Sequence, residues 1–153
     1  MKKIAVFPGS FDPVTVGHES LVLRALPLFD KIIIAIGENS TKNYLFPKEK
    51  RKRWIEETFS KHPEVEVIFY TGLTVDLCKK VEAKYIIRGL RSALDFEFES
   101  SIAKMNGMMV GYIETLFLLS KPEHSAINST IVREIIKNGG DASIFVPKGL
   151  KLI

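Results

Sequence analysis

Five short apolar runs rich in β-branched residues recur along the chain: IAVF (4–7), KIIIAIG (31–37), VEVIFY (65–70), KYIIRG (84–89) and IETLFLLS (113–120). Their hydrophobicity is continuous rather than alternating, which is the pattern of strands covered on both faces. The segments between them, GHESLVLRALPLF, PKEKRKRWIEETFSKH, TVDLCKKVEA and DFEFESSIAKMNGMMV, are each long enough for a crossover helix. Strand, helix and strand in repetition dictate a parallel sheet with right-handed crossovers, a doubly wound five-stranded α/β fold. After the fifth run a polar loop, KPEHSAIN, leads into STIVREIIKNGG, with Ser/Thr at its start and a glycine pair at its end, the start and stop signals of a helix. The terminal IFVPKGLKLI reads as a short helix. No repeat, low-complexity tract or linker interrupts the pattern, so residues 1–153 are expected to form one domain; 46% hydrophobic composition supplies one core.

Composition narrows the partners. The 22 basic and 18 acidic side chains leave a net charge of +4, an excess suited to phosphate ligands and short of a nucleic-acid-binding composition. A single cysteine, Cys78, excludes a disulfide framework and a cysteine-based zinc cluster, and it falls at a core-facing position of TVDLCKKVEA. Too few apolar residues follow Lys2-Lys3 for a signal-peptide core, and no run approaches the roughly 20 needed to span a bilayer. The expectation is a cytoplasmic protein with no membrane and no nucleic-acid partner. The basic run KEKRKR (48–53) opens an amphipathic helix and reads as a solvated face.

In doubly wound sheets ligands sit outside the carboxyl ends of the strands, where the strand order reverses. The loops at 8–17, 38–47, 71–74, 89–94 and 120–129 leave those ends. The first, FPGSFDPVTVGH, carries Gly9, which permits close backbone approach or positive φ, a hydroxyl at Ser10, and Gly17 opening a helix whose unpaired N–H groups favour an anion. His18 then stands on the first turn beside that anion; alternatively Pro8-Gly9 is only a turn and His18 a surface histidine. The tract contains neither GxxxxGK[ST] nor GxGxxG, so neither a Walker loop nor a dinucleotide fingerprint is present.

Thr15-Val16-Gly17-His18 resembles the (T/H)xGH signature of the nucleotidyltransferase superfamily, and Ile127-Asn128-Ser129-Thr130-Ile131-Val132-Arg133 resembles its ISSTxxR signature. With PGSFDPVTVGH, the lysine of STKNYLF and the block IIRGLRSALDFEFE, the whole chain resembles the bacterial phosphopantetheine adenylyltransferase family. The resemblance implies a Rossmann-like nucleotidyltransferase fold and transfer of the adenylyl group of ATP to 4'-phosphopantetheine, giving dephospho-coenzyme A and pyrophosphate. It further implies a homohexamer built as a dimer of trimers. Two positions depart from the family pattern: Asn128 stands for the usual serine and Ser10 for a common threonine, both keeping hydrogen-bonding capacity. The chemistry is an in-line displacement at phosphorus, which needs positioning and electrostatic stabilisation but no protein nucleophile.

The resemblance implies catalytic roles for His18, Lys42 and Ser10. His18 would meet the α-phosphate, Ser10 and the Phe11 amide the reacting phosphates, and Lys42 the nucleophilic phosphate. Arg88 would meet the phosphate of phosphopantetheine, and Arg91, with Gly89 allowing close approach, the phosphates of ATP. Glu99 would contact ATP, Asn128, Ser129 and Thr130 its β- and γ-phosphates, and Leu73 and Thr74 the pantetheine arm. Structural readings stand beside these: a solvated Lys42, ion pairs from the arginines to Asp95 or Glu97, a helix face at DFEFE and N-capping by residues 128–130. Met105, Met109 and Leu73 either line a pantetheine channel or, for the methionines, belong to the core. ATP chemistry implies Mg²⁺, held by phosphates and water because no carboxylate pair or histidine cluster has ligand spacing, with Asp12 at most an indirect partner. Sister transferases acting on nicotinamide mononucleotide or glycerol 3-phosphate, and a non-catalytic nucleotide sensor, are the competing readings. The block IIRGLR…DFEFE speaks against the first two, and the joint presence of His18, Lys42, Arg88 and Arg91 against the third.

Overall fold

Residues 1–152 are described by a computed structural model. The five β-branched runs form β1 (Ile4–Gly9), β2 (Lys31–Gly37), β3 (Val65–Tyr70), β4 (Tyr85–Leu90) and β5 (Glu114–Leu119), all parallel, in the order β3-β2-β1-β4-β5. Alternate side chains of the inner strands enter two separate cores. Ala5, Phe7, Ile32, Ile34 and Ile36 pack on α1 (Val16–Ala25) and α2 (Lys48–Thr58), whereas Val6, Ile33 and Ala35 pack on α3 (Thr74–Lys80) through Val75, Leu77 and Cys78. Two covered faces explain the unbroken apolar runs. The edge strands are less enclosed: β5 contains no fully buried residue and β3 only Val67, because each lacks a neighbour on one side.

α4 (Ala93–Met109) is capped by Ser92, whose hydroxyl accepts from the Asp95 amide, yet none of its residues is buried. Met105 and Met109 are therefore surface residues, not core. α5 (Ser129–Lys137) starts at Asn128 and stops in the expected glycine pair. The Gly139 φ of +78° lets Gly140 donate to the Ile135 carbonyl at 2.8 Å and Gly139 to Ile136 at 3.0 Å, a two-bond termination that a side chain at Gly139 would strain. The expected terminal helix is absent from 144–152. A single 3₁₀ turn at Ser143–Phe145 precedes irregular chain, since Pro147 cannot continue a helix and Gly149 lies at a φ of +87°.

The order reverses between β1 and β4, and there the ladder stops short. β1 and β4 pair only at Ala5–Tyr85 and Val6–Ile86, whereas β1 and β2 remain in register to Gly9. Pro8 has no N–H to give to the ladder. Its carbonyl instead accepts from Arg88 Nη1 at 2.6 Å, so a side chain fills the place of the missing rung. Gly89, one residue on, sits under α1: a Cβ there would fall 2.6 Å from Leu21 Cδ1. Gly89→Ala must displace only that terminal methyl and is expected to destabilise the protein by at most about 1 kcal/mol. Adding Leu21→Ala should recover part of that cost. A double-mutant cycle by denaturant unfolding measures the coupling, and strict additivity would contradict the contact.

Candidate active site

The parting of β1 and β4 opens a cleft in two lobes. One, of about 540 Å³, runs toward β3 and α4 and is lined by Asn39, Tyr70, Thr74, Ile102, Asn106 and Thr115 among others. The other, of about 410 Å³, runs toward the starts of α1 and α5 and includes His18, Arg91, His124, Ser129, Thr130 and Arg133. Ser10, Lys42, Tyr44, Arg88 and Glu99 border both lobes. The structure thus brings every residue to which the resemblance assigned a catalytic or ligand-binding role to one crevice except Leu73, which is exposed at the start of α3 while its neighbours Gly72 and Thr74 face the first lobe. Met105 and Met109 also lie outside; Ile102 and Ala103 of the same helix line the lobe instead.

His18 is held by local geometry. Thr15 caps α1, its hydroxyl accepting from the His18 amide at 3.3 Å, and the His18 ring answers by accepting the Thr15 amide on Nδ1 at 2.9 Å. A capping box normally uses Glu or Gln at this third helical position. With Nδ1 accepting, the neutral ring carries its proton on Nε2, the nitrogen left to donate to a ligand. The residue is half-buried overall, but its ring stands edge-on to Phe11, centroids 4.9 Å apart. Burial first, then the charges of Arg88 and Arg91, lower its pKa from 6.5 to about 4, so the imidazole is neutral at physiological pH.

The arginines have partners that sequence reasoning paired only in part. Arg91 binds Asp95, Nε to Oδ2 at 3.2 Å, one of the expected pairs. Arg88 chooses Glu99 rather than Asp95 or Glu97: Nη2 meets Oε1 at 2.6 Å and Nε meets Oε2 at 3.1 Å. The helical period explains the choice, because Glu99 lies one turn beyond Asp95 on the face of α4 turned to β4, while Glu97 is exposed. Glu99 therefore borders the cleft with both oxygens engaged.

Both helices that end at the second lobe present free amides. Among the described residues, Val16 and Gly17 of α1 and Ser129 and Thr130 of α5 donate to no acceptor. The Ser129 hydroxyl donates to the Pro13 carbonyl at 2.9 Å, and the Thr130 hydroxyl accepts from Arg133 at 3.2 Å. N-capping falls to Asn128, whose Oδ1 accepts from the Ile131 amide at 2.8 Å. Lys42 projects from an exposed loop with no side-chain partner among the described residues. The buried Asp12 carboxylate accepts the amides of Leu45 (2.7 Å) and Phe46 (3.0 Å). No group of three or more His, Cys, Asp or Glu with metal-binding geometry exists among the described residues. Cys78 is buried, which raises its thiol pKa to about 11 and removes it from nucleophilic chemistry.

Arg133, His124 and Arg51 were passed over in the sequence. Arg133 closes the motif around Asn128 and donates to the Asp12 carbonyl at 2.9 Å, a role its place in the motif could have suggested. His124, with a buried Nδ1 that has no partner, gave no signal beyond its loop. Arg51 looked like one more charge on a solvated face and is buried.

A cleft at the switch point of a parallel sheet, with free helix-start amides and a histidine on the first helical turn, is the architecture of a nucleotidyltransferase, and comparisons with known proteins bear the class out. Residues 6–135 match the cytidylyltransferase-like family. The chain is 55% identical over 148 residues to a phosphopantetheine adenylyltransferase of Flavobacterium psychrophilum, covering 97% of each chain. It is 46% identical to one of Bacteroides thetaiotaomicron, again over 97% of each. It belongs to the phosphopantetheine adenylyltransferase family. The fold also matches the solved structure of a bifunctional NMN adenylyltransferase/ADP ribose pyrophosphatase from Francisella tularensis, with TM-score 0.75 and 22% identity, over 98% of this chain and 46% of that one.

The lowered pKa of His18 has a thermodynamic consequence. The unfolded chain binds a proton at His18 below about pH 6.5 that the folded chain refuses until about pH 4. Stability therefore falls as pH drops through that window, by up to about 3 kcal/mol from this group. Denaturant unfolding from pH 7 to pH 4 should show a shallower decline for His18→Gln than for the unaltered chain; equal slopes would contradict a neutral buried ring.

Proposed function

We propose that this protein transfers the adenylyl group of ATP to 4'-phosphopantetheine, forming dephospho-coenzyme A and pyrophosphate. The observation that carries the reading is the two-lobed cleft, whose shared border holds Ser10, Lys42 and Arg88. ATP fits the second lobe, its phosphates toward the free amides of α1 and α5 and toward Arg91 and Arg133. The extended acceptor fits the first lobe, where Asn106, Thr115 and Tyr70 offer hydrogen bonds to its amides. The two reacting phosphates then meet at the border. An oxygen of the acceptor phosphate bonds to the α-phosphorus, the bond to the bridging oxygen breaks, and pyrophosphate leaves with the electron pair.

His18 Nε2 donates to an α-phosphate oxygen as its charge grows, and Lys42, on its flexible loop, follows the nucleophilic phosphate. Arg88 holds the acceptor phosphate at some cost to its Glu99 pair. Mg²⁺ would be held by the ATP phosphates and water and would supply neutralisation of the charge on the leaving pyrophosphate. No helix among the described residues is long and apolar enough to cross a membrane, and the lone cysteine is free, in keeping with a cytoplasmic enzyme.

Pyrophosphate release should require 4'-phosphopantetheine and fail with nicotinamide mononucleotide or glycerol 3-phosphate; release with either of the latter would reassign the acceptor. His18→Ala should lower turnover by on the order of 10² to 10³, the loss typical of one preorganised donor, and leave the ATP dissociation constant within about threefold. Near-normal turnover would remove the histidine from the mechanism.

We also propose a homohexamer. Its support is the outward face of α4, where Leu94, Phe98, Met105 and Met108 recur at helical spacing and are all exposed, an apolar stripe suited to a partner subunit. Light scattering at micromolar concentration should give about six times the 17.3 kDa chain mass, and a monomer mass would refute the assembly.

A further inference from the structure

Arg51 lies within the run KEKRKR yet is 3% exposed, and among the described residues no carboxylate pairs with it. Its guanidinium donates from Nη1 to the Ser10 carbonyl at 2.7 Å and from Nε to the Phe46 carbonyl at 3.0 Å, and it stacks 4.2 Å from the centre of the Tyr44 ring. Enclosing a cation among neutral acceptors is costly, and a neutral donor could satisfy the same carbonyls. The charge therefore asks for a purpose.

The Ser10 carbonyl and the Phe11 N–H are two ends of one peptide unit. A charged donor on the oxygen draws electron density across the unit and makes the N–H a stronger donor. That N–H has no acceptor among the described residues, and both Ser10 and Phe11 border the second lobe. Phe11 holds the peptide at an uncommon φ of +50°, its ring wedged against Phe7 (5.3 Å) and His18 (4.9 Å). On its other side the guanidinium grips the 38–47 loop that carries Lys42, through Phe46 and Tyr44, while Asp12 holds the same loop by the Leu45 and Phe46 amides.

We propose that Arg51 is a positioning residue for adenylyl transfer: a buried cation that strengthens the Phe11 N–H toward the phosphates and fixes the Lys42 loop opposite it. This inference rests on the reaction proposed above. It is tested on the full chain with Arg51→Met, Arg51→Lys and, as a control on the same helix, Trp54→Leu, which removes a buried ring packed on Phe46 without touching Ser10. Melting temperature, kcat, KM for ATP and the Phe11 amide proton shift by NMR are read on each.

Arg51→Met should lower kcat at least about 30-fold with KM for ATP within about threefold, and move the Phe11 proton upfield, as expected for a donor that matters most in the transition state. Arg51→Lys, keeping the charge and losing one bond, should recover much of both. Trp54→Leu should lower the melting temperature comparably, keep kcat within about threefold and leave the Phe11 proton in place. A kcat loss in Arg51→Met no larger than in Trp54→Leu at equal loss of melting temperature overturns the proposal, as does an unmoved Phe11 proton. If Arg51→Met does not fold, Arg51→Gln, a neutral donor of similar length, takes its place, and wild-type kcat with an unmoved Phe11 proton in that variant overturns the proposal. The Phe11 proton needs no acceptor, so an unaltered protein that releases no pyrophosphate with 4'-phosphopantetheine sinks the reaction and leaves Arg51 to be judged by the shift.

Discussion

Arg88 spans the gap where β1 and β4 part, and the cleft depends on that bridge. Pro8 denies the ladder a donor, the strands separate after Val6, and the Pro8 carbonyl would stand unpaired in a half-buried crevice without the guanidinium at 2.6 Å. The same fork reaches Glu99 with its other two nitrogens, so β1, β4 and α4 are held together around the opening. A hydrogen-bonded rung would have closed the cleft; a side chain keeps it open and leaves positive charge on its floor.

Around that bridge the loops are tied to one another more than to the sheet. Asp12 and Arg51 bind the loop after β1 to the loop after β2, and Ser129 and Arg133 bind it to the start of α5. Each tie ends on a backbone carbonyl or amide, so position is fixed while the N–H groups of Phe11, Gly17, Ser129 and Thr130 remain available. Such rigidity suits a reaction in which the protein supplies no nucleophile and works by placing donors around phosphorus. Lys42 stands on an exposed stretch with no side-chain partner among the described residues.

The neutral state of His18 belongs to the same logic. Arg88 and Arg91 supply fixed charge, and beside them a third cation would be repelled; a neutral imidazole contributes a directed donor instead. Its ring orientation is set by Thr15, at the price of the acidic residue that a capping box ordinarily places there.

Much of this was legible in the chain. Continuous β-branched runs separated by helical segments determined five parallel strands covered by helices, and Asn128 and the glycine pair at 139–140 marked the ends of α5 because capping is chemistry among near neighbours in sequence. The motifs around His18, Arg88 and Asn128 placed the site for the same reason: each is a loop at the carboxyl end of its strand. Only the tertiary structure decided that Arg88 takes Glu99, that Arg51 leaves the basic run for the interior and that Met105 and Met109 stay outside. Those outcomes turn on contacts between residues 11 to 80 positions apart, or on which face of a helix meets the sheet, and local pattern carries no information about either. The terminal segment failed as a helix on a local signal, Pro147 and Gly149, that its apolar residues had masked.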